Sequence, residues 1–351
     1  MHSHCPFGCE VFSGGHFCYF LGRYFSPGKG VVMKARENTL RAILRDAPEW
    51  VPNGLENVVM VSSPVVERPR GEGCDDFGVH WSLEEEAEGG TYPTLGRHPI
   101  ADLENWREQL VVPDIDALDW TGVRAAVAEV DREEFLVRGF VEMGLFERSY
   151  LLLGMEGALI AYIEKPELME ELLGAVADYK IALIERFDDE VGLDMMWYGD
   201  DWGTQTSLFM PPETWRKTIR PQTQRIYDCM KGRDILIDQH SCGRIEEVFD
   251  DIVEMGAAMF NPCQPCNDLA RLKREYGDRI SFCGGIDSQF VLARPGVTPA
   301  EVRGEVRRRI DEMGTGGGYI AGPSHGVPYD QVLIDAMNDE IDRYGREVYR
   351  G

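Results

Sequence analysis

The second half of the chain repeats one unit, in which a short apolar segment is followed by polar residues and then by an amphipathic stretch. The apolar segments lie at 195–201, 234–240, 257–263, 280–287 and 318–325. Strands that alternate with helices of about 10–15 residues indicate a parallel sheet. With further strands predicted at 55–61 and 135–140, the repeat predicts an α/β fold. We expect a single (β/α)8 TIM-type barrel.

Nothing in the sequence favours another parallel-sheet fold or a second domain. A Gly-rich dinucleotide-binding fingerprint follows none of the predicted strands, so an open Rossmann sheet is the weaker prediction. Because no linker divides the chain, we predict one barrel domain over 33–351. The stretch at 66–105 is rich in Gly, Pro and acidic residues and is predicted to be a long irregular insertion.

The first 32 residues differ in character from the rest of the chain. Gly and His interrupt their apolar residues, and no small-residue cleavage site follows, so they do not resemble a signal peptide. Cys5, Cys9 and Cys18 lie here, but their irregular spacing is a weak signal for a metal site. We expect 1–32 to be an irregular, poorly ordered N-terminal extension.

Charge and cysteine content limit the compartment and the partners. The formal net charge is −25, whereas nucleic acids and anionic membranes both require a basic surface. The chain has no run of about 18 apolar residues that could span a membrane. Its nine cysteines are expected to be free or metal-bound thiols rather than disulfides. We therefore expect a cytoplasmic enzyme with no nucleic-acid and no membrane partner, and a homodimer is left open.

The most specific chemical signal is the pair His240 and Cys242, which follows the strand predicted at 234–240. A strand that runs into its loop can point residues i and i+2 the same way, which places an imidazole beside a thiolate. This pair of donors is typical of Zn²⁺, and three protein ligands with one open position define a catalytic zinc site. Our preferred third ligand is His325, ahead of Cys283, with Glu213 a more distant candidate.

Two other clusters of polar residues follow predicted strands. Asp200 and Asp201 are adjacent, so only one of them can point into the barrel mouth, where it could accept or supply a proton. The alternative for this pair is a helix cap and a surface charge. Cys263 and Cys266 form a CxxC motif that could be redox-active or bind a metal, although interleaved prolines make this signal weaker.

Several segments together resemble the uroporphyrinogen decarboxylase superfamily. They are YGDDWGTQ, MPPETWRKTIRPQTQRI, DQHSCGRIEEVFDDIVEMGAAMFNPCQP, LKREYGDRISFCGGIDSQ and GGGYIAGPSHGVP. The resemblance covers most of the chain from Met33 to about Tyr344 and implies one barrel with a deep cleft at the carboxyl ends of its strands. One branch of this superfamily decarboxylates uroporphyrinogen without a cofactor. The other comprises zinc- and corrinoid-dependent methyltransferases.

The methyltransferase branch is the closer resemblance. Its zinc is held by a His-x-Cys pair, matched here by His240 and Cys242, and by a later Cys, at whose place this chain has His325. The resemblance implies methyl transfer from a small methylated substrate, such as an aryl methyl ether, to a corrinoid protein, or from that protein to an acceptor. The implied cofactors are Zn²⁺ and the methylcobalamin of the partner. A non-catalytic methyl-carrier partner is disfavoured by the many polar strand ends.

The same resemblance assigns residues to the substrate and leaves one alternative. An inward Asp201 would handle the proton, while Trp202, Gln264 and Asp287 would line the cleft. Asp76 could match the decarboxylase's pyrrole-binding Asp in role. The alternative function is a cofactor-free decarboxylase, which is disfavoured because the matching N-terminal region lacks the Arg-rich loop that binds the carboxylates of the porphyrinogen.

Overall fold

A curled parallel sheet organises the part of the chain that the computed structural model describes, which is 33–83, 90–326, 330–349 and the backbone of Phe17–Tyr19. The strands are β1 (Phe17–Tyr19), β2 (Val58–Ser62), β3 (Gly73–Cys74), β4 (His80–Leu83), β5 (Thr91–Pro93), β6 (Leu136–Val141), β7 (Met195–Gly199), β8 (Leu236–His240), β9 (Met259–Asn261), β10 (Ser281–Ile286) and β11 (Tyr319–Pro323). The main sheet has the order β1-β2-β6-β7-β8-β9-β10-β11. All its pairs are parallel except β1 with β2, which is antiparallel.

The sheet curls until its last strand meets the chain just ahead of β2. The Gly54 amide donates to Ala321 O at 2.6 Å, and the Ala321 amide donates to Pro52 O at 2.9 Å. The predicted α/β barrel architecture is therefore confirmed, with seven parallel strands in the described residues. The predicted leader at 1–32 lies outside the described residues, apart from the backbone of β1.

Helices alternate with the parallel strands, as the repeat predicted. They are α1 (Ala35–Leu44), α2 (Trp106–Gln109), α3 (Thr121–Ala128), α4 (Leu145–Leu153), α5 (Met155–Glu164), α6 (Pro166–Val191), α7 (Pro212–Thr218), α8 (Arg220–Gly232), α9 (Phe249–Met255), α10 (Leu269–Tyr276), α11 (Pro299–Met313) and α12 (Gln331–Tyr344). The longest, α6, begins at Pro166, whose fixed φ and missing N–H fit the first helical turn. Its buried face includes Leu172, Leu173 and Val176, which recur at helical spacing. No helix in the described ranges is both long enough and apolar enough to cross a membrane.

Alternation along the strands decides which residues line the barrel. Val58, Leu136, Met195, Met259 and Ile320 belong to one buried cluster inside the curled sheet. Because strand side chains alternate between faces, the residues two positions further along also point inward. On β6, β7, β8 and β9 these residues include Arg138, Trp197, Asp238 and Asn261. The barrel interior is thus apolar at one end and polar toward the carboxyl ends of its strands.

The insertion predicted to be irregular at 66–105 contains a small sheet. Strands β3, β4 and β5 pair antiparallel outside the main sheet, which corrects the prediction. Each has only two to four residues, too few to produce a visible alternation of apolar residues. A buried ion pair between Asp75 and Arg148 joins this segment to α4.

Candidate metal centre

Three potential ligand atoms converge at the carboxyl ends of β7 and β8. His240 Nε2 lies 3.6 Å from Cys242 Sγ and 3.4 Å from Asp201 Oδ1. Within the described part of the chain, these three residues form the one group of three or more His, Cys, Asp or Glu whose ligand atoms all lie within 4.8 Å of each other. All three are partly buried. Strand pairing produces this proximity, because Gly199 at the end of β7 is paired with His240 at the end of β8.

Asn261 decides which nitrogen of His240 carries the proton. The Asn261 amide nitrogen donates to Asp238 Oδ1, and its Oδ1 accepts from Trp197 Nε1 at 3.2 Å. These partners fix the orientation of the amide, since the carboxylate of Asp238 accepts and the indole can only donate. The Asn261 oxygen also lies 2.7 Å from His240 Nδ1, which must therefore be the donor. The hydrogen-bond network assigns the proton to Nδ1.

The assigned tautomer leaves the other ring nitrogen as an acceptor. The Nε2 of neutral His240 lies 3.6 Å from Cys242 Sγ, whose thiol can donate to it, and 3.4 Å from Asp201 Oδ1, an atom that also carries lone pairs. Cys242 holds that oxygen in place, because its backbone N–H donates to it at 2.7 Å. A metal ion bound by all three residues would use the lone pairs of Nε2, of Oδ1 and of the deprotonated sulfur together.

A buried ion pair supports the Asn261 network from below. Arg138 Nη1 lies 2.9 Å from Asp238 Oδ2, and both side chains are almost completely buried. Burial raises the pKa of Asp238, while Arg138 and Asn261 oppose that rise by stabilising the carboxylate. Polar contacts therefore run without a break across the barrel interior. They connect Arg138 to Asp238, Asp238 to Asn261, and Asn261 to His240. Outer partners of this kind orient a histidine ligand and raise its basicity.

Negative charge surrounds the Cys242 thiol. Burial raises its pKa, and the nearby carboxylates of Asp201 and Glu147 raise it further. Glu147 is in the first turn of α4, and its own pKa is raised well above the usual range by burial and by the charge on Asp201. Its carboxylate lies 3.4 Å from the Tyr150 hydroxyl. A bound divalent cation would offset this excess of negative charge and favour the thiolate.

The structure gives the two adjacent aspartates different environments. Asp200 is fully buried and accepts hydrogen bonds from the backbone amides of Phe146 and Glu147 and from Trp202 Nε1, at 2.8–3.0 Å. It therefore fixes the start of α4, although burial still raises its pKa to about 6. For Asp200, this environment corresponds to the alternative prediction, in which the residue caps a helix instead of handling a proton. Asp201 points the other way, toward His240 and Cys242.

Trp202 was predicted to contact substrate, but the structure buries it. Its side chain is only 2% exposed, its indole N–H donates to Asp200, and its ring meets Trp215 edge-on at 4.9 Å between centroids. The bulky ring is thus part of the hydrophobic core. Its adjacency to Asp201 in sequence does not give it access to the cleft.

The expected third ligands lie away from the donor group. Neither His325 nor Cys283 places a ligand atom within 4.8 Å of both His240 and Cys242 in the described structure. His325 is exposed because Ser324, which precedes it, is held by the Ile286 carbonyl and by the Ser288 amide. Cys283 lies within β10 and packs against the buried cluster that contains Met259 and Ile320. The third donor in this geometry is Asp201, for which we had predicted a proton-handling role.

Glu213 and the CxxC motif also lie outside the group. Glu213 is exposed in the first turn of α7. Cys263 is buried, with its thiol 3.6 Å from Phe260 O, and Cys266 is partly buried. Both cysteines are free, and burial raises the pKa of each thiol, to about 12 for Cys263. These environments favour unreactive thiols over redox-active ones.

The other predicted substrate residues are Gln264, Asp287 and Asp76, and only the first two lie near the donor group. Gln264 touches the donor group, because its Oε1 accepts from the Gly243 amide at 2.6 Å and its Nε2 lies 3.8 Å from Cys242 Sγ. Asp287 lies near Gln264, in the wall of a cavity beside the strand ends. Asp76 is exposed and accepts from the Val66 amide at 2.8 Å, which stabilises its own loop.

Arg138, Asn261 and Glu147 are the residues of this site to which the sequence reasoning gave no role. A signal for Arg138 does exist, since it is a charged residue at an inward position of an otherwise apolar strand. Asn261 carries a weaker signal, since it is a polar residue near the end of the apolar segment at 257–263. Glu147 carries no local signal, because its place depends on how α4 packs over the barrel mouth.

Comparison with known proteins agrees with this architecture. Residues 75–340 match the uroporphyrinogen decarboxylase (URO-D) family, so the chain belongs to this family. Over 200 residues it is 27% identical to a uroporphyrinogen decarboxylase of Methylococcus capsulatus, which covers 53% of this chain and 52% of that protein. Over 181 residues it is 26% identical to that of Hahella chejuensis, covering 49% and 47%. The match thus spans about half the length of these curated relatives.

A solved structure extends the likeness over most of the chain. A methyltransferase from Methanosarcina mazei superposes with a TM-score of 0.67 and 15% sequence identity, covering 89% of this chain and 99% of that one. At this identity the likeness concerns the fold alone. It supports the barrel architecture over nearly the whole chain.

Proposed function

We propose that the protein is a zinc-dependent methyltransferase that uses a corrinoid carried by a partner protein. The observation that carries this proposal is the group of nitrogen, sulfur and oxygen donors on His240, Cys242 and Asp201. All three donor types are established zinc ligands, and three protein ligands are the usual set in catalytic sites. The Methanosarcina mazei methyltransferase, with the same fold, supports the proposal.

Each residue has a definite task in this proposal. His240 presents its unprotonated Nε2 because Asn261 holds the proton on Nδ1, and Cys242 binds after its thiol proton is released. Asp201 supplies the carboxylate, while Glu147, whose pKa is raised well above its usual range by burial and by Asp201, would exchange a proton with the substrate. When bound, zinc acts as a Lewis acid on the heteroatom that carries the methyl group, which makes that heteroatom a better leaving group. The substrate is a small methylated compound, such as an aryl methyl ether.

The alternative function, cofactor-free decarboxylation, is favoured by the names of the curated relatives. The charges at the barrel mouth, however, suit decarboxylation of a polycarboxylate less well than methyl transfer. The carboxylate of Asp201 would repel a substrate that carries several carboxylates, and burial of negative charge on Glu147 beside it would be unfavourable. Arg138 is buried and paired with Asp238, and Arg68 donates to Thr91. We therefore rank methyl transfer first.

The test measures both reactions with one preparation of the protein. We expect the zinc-loaded protein to transfer a methyl group from 2-methoxyphenol to cob(I)alamin, or from methylcobalamin to 2-mercaptoethanol, followed by cobalamin absorbance. Removal of zinc with a chelator should abolish either transfer, and its return should restore it. Release of carbon dioxide from uroporphyrinogen by the metal-free protein, without methyl transfer by the zinc form, would reverse the ranking.

Replacing Asn261 tests the network that orients His240. We expect Asn261→Leu to weaken zinc binding by about 10- to 100-fold, because the ring loses the acceptor that fixes its tautomer. Zinc affinity is measured by competition with a chromophoric chelator. Asn105→Leu is the matched control, since it makes the same substitution at an exposed position in the segment before α2 and should leave the affinity unchanged. Equal affinities for Asn261→Leu and the wild-type protein would contradict the assigned role.

A further inference from the structure

A groove of about 490 Å³ lies between α6 and the segment at 112–116, and it shares no residue with the candidate metal centre. Along α6 it follows Tyr179, Ala182, Arg186 and Asp189, which recur at helical spacing and therefore lie on one face of the helix. The opposite wall contains a short helical turn that begins at Ile115. The volume of the groove is within the range of about 300–1,000 Å³ that is usual for small-molecule sites.

Negative charge predominates in this groove. Its ionisable residues are Asp114, Asp116, Tyr179, Glu185, Arg186 and Asp189, which set four carboxylates against one guanidinium. Arg186 is paired with Glu190, at 2.8 Å between Nη2 and Oε1, and Asp189 is paired with Arg233. In the part of the chain that the structure describes, Asp114, Asp116 and Glu185 have no basic partner within 4.0 Å. These three carboxylates would attract a cationic ligand.

The spacing of the carboxylates favours an extended cation over a metal ion. Among the described residues, the one group of three or more potential ligands within 4.8 Å of each other is the candidate metal centre. The groove carboxylates therefore do not converge on one point, whereas Ca²⁺ needs about 6–8 oxygen ligands at about 2.3–2.6 Å. A ligand whose positive charges are separated along a chain can meet them one by one.

The walls between the carboxylates are apolar. Val112, Pro113 and Ile115 form one side, and Ala182 lies on the side of α6. Val112 is 41% exposed. Apolar walls of this kind suit methylene groups, in the way that the stems of lysine side chains lie on apolar surface while their charged ends stay in water. The ligand that fits both features is an aliphatic chain that carries ammonium groups.

Tyr179 adds a polar group that lacks a partner. Its side chain is only 4% exposed, and its hydroxyl is buried without a hydrogen-bond partner among the described residues. Buried hydroxyls ordinarily have a partner. Burial also raises the pKa of this phenol, so the hydroxyl stays neutral and can accept a hydrogen bond. An amine that donates to it would satisfy the group.

We propose that this groove binds a linear aliphatic polyamine, such as spermidine. The methylene groups lie along Val112 and Ala182, one amino group donates to the hydroxyl of Tyr179, and the other ammonium groups pair with Asp116 and Glu185. The proposal does not depend on the reaction at the metal centre, because the two places share no residue.

Calorimetric titration of the full chain tests the proposal. The probes are spermidine, 1,4-diaminobutane, which has one ammonium group fewer, and Mg²⁺, all at one ionic strength. We expect one spermidine per chain and diaminobutane binding that is about two- to fivefold weaker, because one exposed ion pair is lost. Mg²⁺ should bind at least about tenfold more weakly than spermidine, since the carboxylates do not converge.

Neutralising the groove should abolish most of the binding. The combined variant Asp114→Asn, Asp116→Asn and Glu185→Gln is expected to weaken spermidine binding at least about tenfold, through the loss of several ion pairs. An asparagine at position 114 can still accept the Asp116 amide, so the short helical turn keeps its cap.

The matched control removes the same charge elsewhere. Glu72→Gln, Glu156→Gln and Glu164→Gln together change three exposed carboxylates outside the groove, and should alter spermidine binding by less than about twofold. Tyr179→Phe should weaken spermidine binding about threefold without lowering the free energy of unfolding, because its hydroxyl has no hydrogen bond to lose within the described structure.

The outcomes distinguish a site from general attraction to an acidic surface. One spermidine per chain, lost in the groove variant and retained in the control, would support the proposal. Several spermidines per chain with equal losses in both combined variants, unchanged binding by Tyr179→Phe, or Mg²⁺ binding as tight as that of spermidine would overturn it. The titration reads neither zinc nor methyl transfer, so failure of the proposed function would leave its result unchanged.

Discussion

Replacing Cys242 with alanine is expected to reduce the zinc content from about one ion per chain to near zero. The proposed site has three protein ligands and keeps its remaining position open, so no spare donor can replace the lost thiolate. The variant also removes the group whose deprotonation ties zinc affinity to pH. Elemental analysis of the purified protein after dialysis against excess zinc and then buffer measures the change.

Cys283→Ala is the matched control for this experiment. Cys283 is also partly buried, and its sequence position made it a candidate ligand, but it packs against the apolar cluster inside the barrel. We expect Cys283→Ala to retain about one zinc per chain. Full zinc occupancy in Cys242→Ala, or its loss in Cys283→Ala instead, would show that the ligand assignment is wrong.

Asp75→Asn is expected to lower the free energy of unfolding by about 3–5 kcal/mol, because it leaves a buried charge without its partner. Asp75 Oδ2 lies 2.8 Å from Arg148 Nη1, and neither side chain has any exposed surface. The guanidinium packs over the ring of Phe77 at 4.0 Å, and its Nε and Nη2 have no other partner among the described residues. Denaturant titration measures the loss, with the midpoint and the slope recorded separately.

The adjacent residue provides the control. Asp76 is exposed, and its carboxylate accepts one backbone hydrogen bond that an asparagine oxygen can still accept. We expect Asp76→Asn to leave the stability almost unchanged. Equal losses for the two variants would mean that the Asp75–Arg148 pair does not stabilise the contact between the β3–β5 segment and α4.

The fold could be predicted from the sequence because its strands are buried and bounded by polar residues. The segments at 234–240 and 280–287 contain β8 and β10 for this reason. The small sheet of β3, β4 and β5 could not be predicted, because strands of two to four residues are too short to show an alternation of apolar and polar residues. The pairing of neighbouring strands could not be predicted from the sequence either, because the register between β7 and β8 depends on the curvature of the whole sheet.

The candidate site was predicted only where its geometry is local. His240 and Cys242 are two residues apart, so the backbone alone brings them together. Asp201 joins them because strand pairing places the end of β7 beside His240, a relation between segments 39 residues apart that spacing cannot reveal. His325 lies outside the donor group, in the wall of the neighbouring cavity, where Ser324 accepts a hydrogen bond from the Ser288 amide.

The most direct test of the central claim is the zinc K-edge X-ray absorption spectrum of the wild-type protein. With Asp201, His240 and Cys242 as ligands, we expect one sulfur at about 2.3 Å and the remaining shell of nitrogen and oxygen at about 2.0–2.2 Å. A first shell with two or more sulfur atoms, or with no sulfur at all, would contradict the proposed centre.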